Sequence, residues 1–230
     1  MSEPRSSDLR WLDAAARLAT PALGSTGAGP TVGALVVDED RQLVFGRAVT
    51  QPRGTAQAES LALAEAKGLT QGRTLYLTLE PAAHYASFAP VTDTILYAGI
   101  SRVVVGALDP DPKHAGQGLR ALYEADVETV HLEHEPSELL NEGYATRVTK
   151  GRPFVTLKIA LSADGMVGFS APGAEPFLDA EAQRFLQVHS AKPGMKEACV
   201  EAVAGPGEIH GRNRRSRYGY GRAIPQHHGA

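Results

Sequence analysis

Thr74-Leu75-Tyr76-Leu77-Thr78-Leu79-Glu80-Pro81 is a run of apolar alternation that breaks into an acid and a proline. The run predicts a buried strand over 74–79. The break predicts a polar turn at its tip, where a rigid scaffold often carries chemistry. The turn continues Ala82-Ala83-His84-Tyr85, so two alanines stand where a working side chain is expected.

Elements on both sides of this strand show what it belongs to. Residues 8–19 place Leu9, Leu12, Ala15, Ala16 and Leu18 on one face of a helix. Val32–Val37 and Leu43–Phe45, joined by Asp38-Glu39-Asp40, read as a hairpin. Ala56, Leu61, Leu63, Ala64 and Ala66 recur at helical spacing, and Gly68 is a C-terminal stop. Pro90 and Gly99 bracket a helix carrying Val91, Ile95 and Leu96. Val103–Val105 and Val127–Leu132 predict strands around a helix at 116–125, and Ser137 predicts the cap of a helix running to about 149, closed by Gly151. Helix, hairpin, then helix and strand in alternation predict an α/β fold of three layers, α/β/α, with one mixed sheet. The apolar runs after residue 70 predict parallel strands buried on both faces.

Composition narrows the function. The chain has 230 residues, 43% of them apolar, and a formal net charge of −3. That balance argues against binding nucleic acid or anionic membrane by overall charge. The single cysteine, Cys199, excludes a disulfide framework and a multi-cysteine metal site. No apolar run reaches the roughly 18–20 residues of a membrane span. The N-terminal residues lack a signal-peptide core. A soluble cytoplasmic protein is the expectation.

Three pieces carry the chemistry. Ala56-Gln57-Ala58-Glu59 opens a helix, Leu79-Glu80-Pro81-Ala82-Ala83-His84 ends a strand, and Ala89-Pro90-Val91 opens the next helix. Together they resemble the zinc-dependent cytidine-deaminase-like family. A narrower resemblance rests on Gly33–Val37, Thr74–Pro81, Asp109-Pro110-Asp111-Pro112 with Gly116-x-Gly118, Asn141-Glu142-Gly143, Gly151–Lys158 and Ser162-Ala163-Asp164-Gly165. These look like the bifunctional deaminase/reductase of riboflavin biosynthesis, over residues 8 to 191. The resemblance implies a zinc-dependent deaminase acting on a diaminopyrimidine ribosyl-phosphate, then an NADPH-dependent reductase.

Carried over by position, the resemblance assigns the family's zinc ligands to Gln57, Ala82 and Val91. It assigns the proton-shuttling acid to Glu59 and a substrate contact to His84. The family's Pro-Asn-Pro turn is Ala28-Gly29-Pro30 here. A catalytic zinc takes three protein ligands from thiolate, imidazole or carboxylate, plus a water. Ala and Val have no donor atom, and one Gln amide cannot hold the ion. Without metal, water keeps a pKa of about 15.7 rather than about 7. Glu59 alone supplies general-base help of roughly 10²–10⁴-fold, far short of enzymatic acceleration. The sequence thus predicts a relative that holds neither zinc nor NADPH and does not deaminate. Glu59 remains as a vestigial acid, and a pyrimidine ribosyl-phosphate, a second copy or an active homologue are the expected partners.

Each residue also has a plainer reading. Glu59 reads equally as an exposed acid in a helix's first turn, favoured by the dipole, and His84 as a solvent-facing turn residue. Lys158, Ser162 and Asp164 match the reductase entry motif, where the resemblance implies substrate binding; otherwise they are a strand lysine and a turn. His131 and His134 have metal-like spacing without a partner cluster, and no metal is expected there.

The organisation expected is a deaminase-like domain over 1–150, the start of a reductase-like domain over 151–191, and a Gly- and Arg-rich tail over 192–230. The tail has little to bury and reads as disordered. Two strands do not make an independent domain, so an incomplete reductase is expected. The tail's makeup also suits a shifted reading frame. RNA binding through Arg212–Arg222 is a further alternative, with nucleic acid not the favoured partner.

Overall fold

Two short runs, Thr74–Leu77 and Arg102–Val105, set the centre of the sheet, and every residue in both is buried. The computed structural model describes residues 3–84 and 90–155. Its helices are α1 (Asp8–Ala19), α2 (Ala58–Glu65), α3 (Val91–Tyr97), α4 (Gln117–Glu124), α5 (Glu135–Leu140) and α6 (Glu142–Lys150). Its strands are β1 (Gly33–Asp38), β2 (Leu43–Val49), β3 (Thr74–Leu77), β4 (Arg102–Val105) and β5 (Glu128–His131). The chain divides after Phe154, and these elements all lie in the first unit.

The strands form one mixed sheet in the order β2-β1-β3-β4-β5. The hairpin β1–β2 is antiparallel, with an irregularity in register between Val36 and Val37. β1 also runs antiparallel to β3, while β3–β4 and β4–β5 are parallel. Parallel neighbours need a crossover, and α3 and α4 supply the two crossovers here.

Alternation along the strands gives each face its own core. Ala34, Val36, Leu75, Leu77, Val103 and Val105 point into the layer containing α2, α3 and α4. Leu35, Val37, Tyr76, Val104 and Val130 point to the opposite face, where α1 packs. Gly33 lets α1 approach, because a Cβ there would run into the carbonyl of Ala15. The expected three-layer α/β/α fold with a mixed sheet is the observed one.

Two readings need correction. Leu9 is 53% exposed, and Asp8 is buried instead. The α1 stripe is Leu12, Ala15, Ala16 and Ala19, with a charged residue extending it into an ion-pair network. The helix expected from Ser137 to about 149 is two helices. Ser137 lies inside α5, and the chain leaves helical geometry at Asn141 (φ −117°, ψ 13°). The Asn141 side chain is occupied elsewhere. Its Oδ1 accepts the Thr31 N–H at 2.8 Å, and its Nδ2 donates to the Thr31 carbonyl at 3.1 Å. A buried amide that pairs with both backbone groups of a distant residue fixes the loop at the cost of a continuous helix.

Candidate active site

The resemblance places the site in a cleft where β3 ends and α2 and α3 begin. Gln57 sits at the N-cap of α2 in an extended conformation (φ −83°, ψ 142°), and its side chain makes no capping hydrogen bond. Two residues on, Glu59 is only 5% exposed. The plainer reading of Glu59 as an exposed first-turn acid is therefore incorrect. Burial pushes its carboxyl up to about 7, against a smaller opposing effect from its own backbone N–H.

The turn after β3 is anchored by Glu80. Its Oε1 accepts the N–H groups of Gly118 at 2.8 Å and Leu119 at 3.2 Å. Its Oε2 accepts those of Gly116 at 2.8 Å and Asp109 at 3.1 Å. One carboxylate thus holds the 109–116 loop and the first turn of α4 against the strand tip. Four charge-assisted bonds repay its burial. Gly118 is required at this junction, since a Cβ there would run into the Pro81 carbonyl.

Beyond Pro81 the chain passes Ala82, whose carbonyl accepts the N–H of Val91 at 2.9 Å and that of Thr92 at 3.4 Å. Two of the positions that the sequence singled out thus meet at the start of α3. Val91 is 1% exposed and belongs to the same apolar cluster as Ala58 and Leu79. Gln57 opens α2, which packs against α3.

His84 lies flat against His114, with ring centroids 3.9 Å apart and planes 14° from parallel. His114 carried no signal in the sequence, because the contact joins two loops thirty residues apart in the chain. The 26–31 loop is tied to α6. Arg147 donates to the Ala28 carbonyl at 2.7 Å, and its guanidinium lies 5.5 Å from the centre of the Tyr144 ring. Burial first, and the nearby Asp109 carboxylate second, push the Tyr144 hydroxyl up to about 12.

His131 and His134 do not converge. His134 sits at the N-cap position of α5, its Nδ1 2.8 Å from Ser137 Oγ and its Nε2 3.2 Å from Asp13 Oδ1. His131 ends β5 beside Thr129 and Tyr123, in a cleft under α4. Among the described residues, no group of three or more His, Cys, Asp or Glu side chains stands together to hold a metal ion. Lys158, Ser162 and Asp164, with the reductase-like segment and the tail, lie outside the described residues.

A family model for the cytidine and deoxycytidylate deaminase zinc-binding region matches residues 5–107. The riboflavin biosynthesis protein RibD of Aquifex aeolicus is 40% identical over 162 residues, covering 70% of this chain and 45% of the relative. RibD of Haemophilus influenzae is 34% identical over 193 residues, covering 84% of this chain and 51% of the relative. The chain belongs to the riboflavin-biosynthesis deaminase family. Solved structures agree. Acinetobacter baumannii RibD superposes with a TM-score of 0.70 at 32% identity, over 79% of this chain and 51% of that one. The deaminase/reductase of Thermotoga maritima also gives 0.70, at 31% identity, over 79% and 52%. The chain thus spans about half the length of the curated relatives it matches. No helix among the described residues is long and apolar enough to cross a membrane.

A metal named in the family model's own description has to be tested against the side chains present. The three positions that the resemblance gives to zinc hold a carboxamide, a methyl and an isopropyl group. Only the carboxamide has a donor atom, and the isopropyl group is packed in the core. These residues do not fit a zinc ion.

Proposed function

We propose that this chain is a non-deaminating member of the riboflavin-biosynthesis deaminase family, a cytoplasmic pseudoenzyme. Its cleft binds a pyrimidine ribosyl-phosphate without turning it over. One observation carries the reading. Val91, at one of the three ligand positions, is an apolar side chain buried in the same cluster as Ala58 and Leu79. Deamination in this family needs a hydroxide at neutral pH, and Gln57, Ala82 and Val91 offer nothing to generate one.

Retention of a ligand is supported by the rest of the cleft. Glu59 is buried at the start of α2, and His84 and the 109–116 loop are held in place by specific contacts. The Thermotoga relative is described as a diaminohydroxyphosphoribosylaminopyrimidine deaminase and 5-amino-6-(5-phosphoribosylamino)uracil reductase. A pyrimidine carrying ribose and phosphate is accordingly the ligand class proposed here. Residues 151–191 are proposed as reductase-like by the same resemblance.

The decisive experiment measures zinc by elemental analysis in the purified full chain, alongside ammonia release from the diaminopyrimidine ribosyl-phosphate. Well under 0.1 zinc per chain and no ammonia above the uncatalysed rate are expected, on the order of the losses seen when catalytic machinery is removed. Stoichiometric zinc with ammonia release overturns the proposal.

A further inference from the structure

His114 stands out among the contacts around the cleft because it stacks on a residue assigned to the ligand. Its ring lies 3.9 Å from that of His84 at 14°, a near-parallel stack of the kind planar rings use to fix each other's orientation. His114 itself is well fixed. Its backbone N–H donates to the Asp111 carbonyl at 2.8 Å, and its own carbonyl accepts the Gln117 N–H at 3.0 Å. On either side, the Asp109 and Gly116 N–H groups are tied to Glu80. Nδ1 of His114 is sealed from solvent and meets no hydrogen-bond partner among the described residues. The ring's place is therefore set by the loop that carries it and by the stack rather than by a polar partner for Nδ1. His84, by contrast, follows Pro81-Ala82-Ala83, and its ring meets that of His114.

We infer that His114 is a positioning residue, which holds the His84 imidazole by stacking so that His84 meets the pyrimidine ribosyl-phosphate edge-on. The inference rests on the proposed ligand-binding role of the cleft. The linkage runs in physical order: the Glu80 carboxylate holds the 109–116 loop, the loop holds His114, and His114 holds His84.

Two measurements on the full chain separate this inference from the reading beneath it. The first needs no ligand. Ring-current shifts move the His84 ring protons upfield in NMR spectra of the unmodified protein. His114→Ala removes that shift, and His114→Phe retains it. The second measures the Kd for cytidine and uridine 5′-monophosphates. His114→Ala raises Kd about three- to tenfold, the worth of one aromatic pair, and His114→Phe restores it. In His84→Ala the further substitution of His114 has no added effect, as a coupled pair requires. Nucleotide binding indifferent to His114→Ala, or not rescued by phenylalanine in a folded variant, overturns the positioning role alone. No nucleotide binding by the unmodified chain, with the ring-current shift present, overturns the ligand-binding reading and the positioning role with it.

Discussion

At the first turn of α2, Glu59 carries a carboxyl that water hardly reaches, and burial sets its protonation. The folded state holds its proton up to about 7, against an ordinary value of 4.5. Between those values the folded chain binds more protons than the unfolded one. Stability from this group is fully present below pH 4.5 and is lost as pH rises through 7. Glu59→Gln removes the titration. Relative to the unmodified chain, the variant therefore gains roughly 2–3 kcal/mol between pH 4.5 and pH 8. Urea unfolding of both proteins at the two pH values measures this difference, and an equal gap at both refutes it. The burial was hidden in the sequence for a physical reason. An acid in a helix's first turn is favoured by the dipole whether or not a second helix covers it. The helix that packs against α2, α3, begins more than thirty positions later. At the positions that the resemblance gives to zinc, identity alone settles whether a side chain has a donor atom.

At the scale of elements, the strands at 74–77 and 102–105 were legible because runs of Leu, Val and Tyr buried on both faces leave little choice. The antiparallel pairing of β1 with β3 was not, since pairing direction depends on connections rather than side chains. The break between α5 and α6 was missed because Asn141 is recruited by Thr31, 110 residues away in the chain. Glu80 was visible as the end of a strand but not as a clamp on four amides. Its replacement tests what the clamp does. Glu80→Gln keeps one oxygen, but turns an NH₂ toward two backbone N–H groups that have no other acceptor among the described residues. Each buried donor left unsatisfied costs about 1–3 kcal/mol. Amide hydrogen exchange at Asp109, Gly116, Gly118 and Leu119 is expected to accelerate well before global unfolding. Unchanged protection at all four shows that the loop is held by other contacts.

At the scale of the whole described unit, a buried ion-pair network joins the sequence-distant elements beneath α1. Arg102, 1% exposed on β4, donates to Asp8 of α1 through Nη1 at 2.8 Å and Nη2 at 2.9 Å. Its Nε donates to Glu128 of β5 at 2.8 Å, and its Nη1 reaches Glu39 at 3.2 Å. Tyr76 of β3 donates to Asp8 at 2.8 Å and also bonds Glu39, which Arg5 pairs from outside. For Asp8, burial raises the carboxyl, but the bonds from Arg102, the Arg5 N–H and Tyr76 together bring it below its ordinary 3.8. Glu39 is likewise brought below 4.5 by Tyr76 and Arg5 against the effect of burial. Both carboxylates contribute stability that is present above their unfolded values and is lost as pH falls through their folded ones, the opposite sense to Glu59. The unit is therefore squeezed from both sides. The network weakens as pH falls below the ordinary values of Asp8 and Glu39, and Glu59 charges toward pH 7, so these groups together favour the acid side of neutrality. Arg102→Met removes the shared cation and strands Asp8 in the interior. A loss of about 3–5 kcal/mol is expected at pH 7, because an uncompensated buried charge costs more than the pair contributed. Because Asp8 then takes up a proton rather than remain charged, the loss shrinks as pH falls toward 4. Thermal unfolding of both proteins from pH 3.5 to 8 reads all of this in one series. A deficit in Arg102→Met that stays constant across the series shows that the network acts through packing alone.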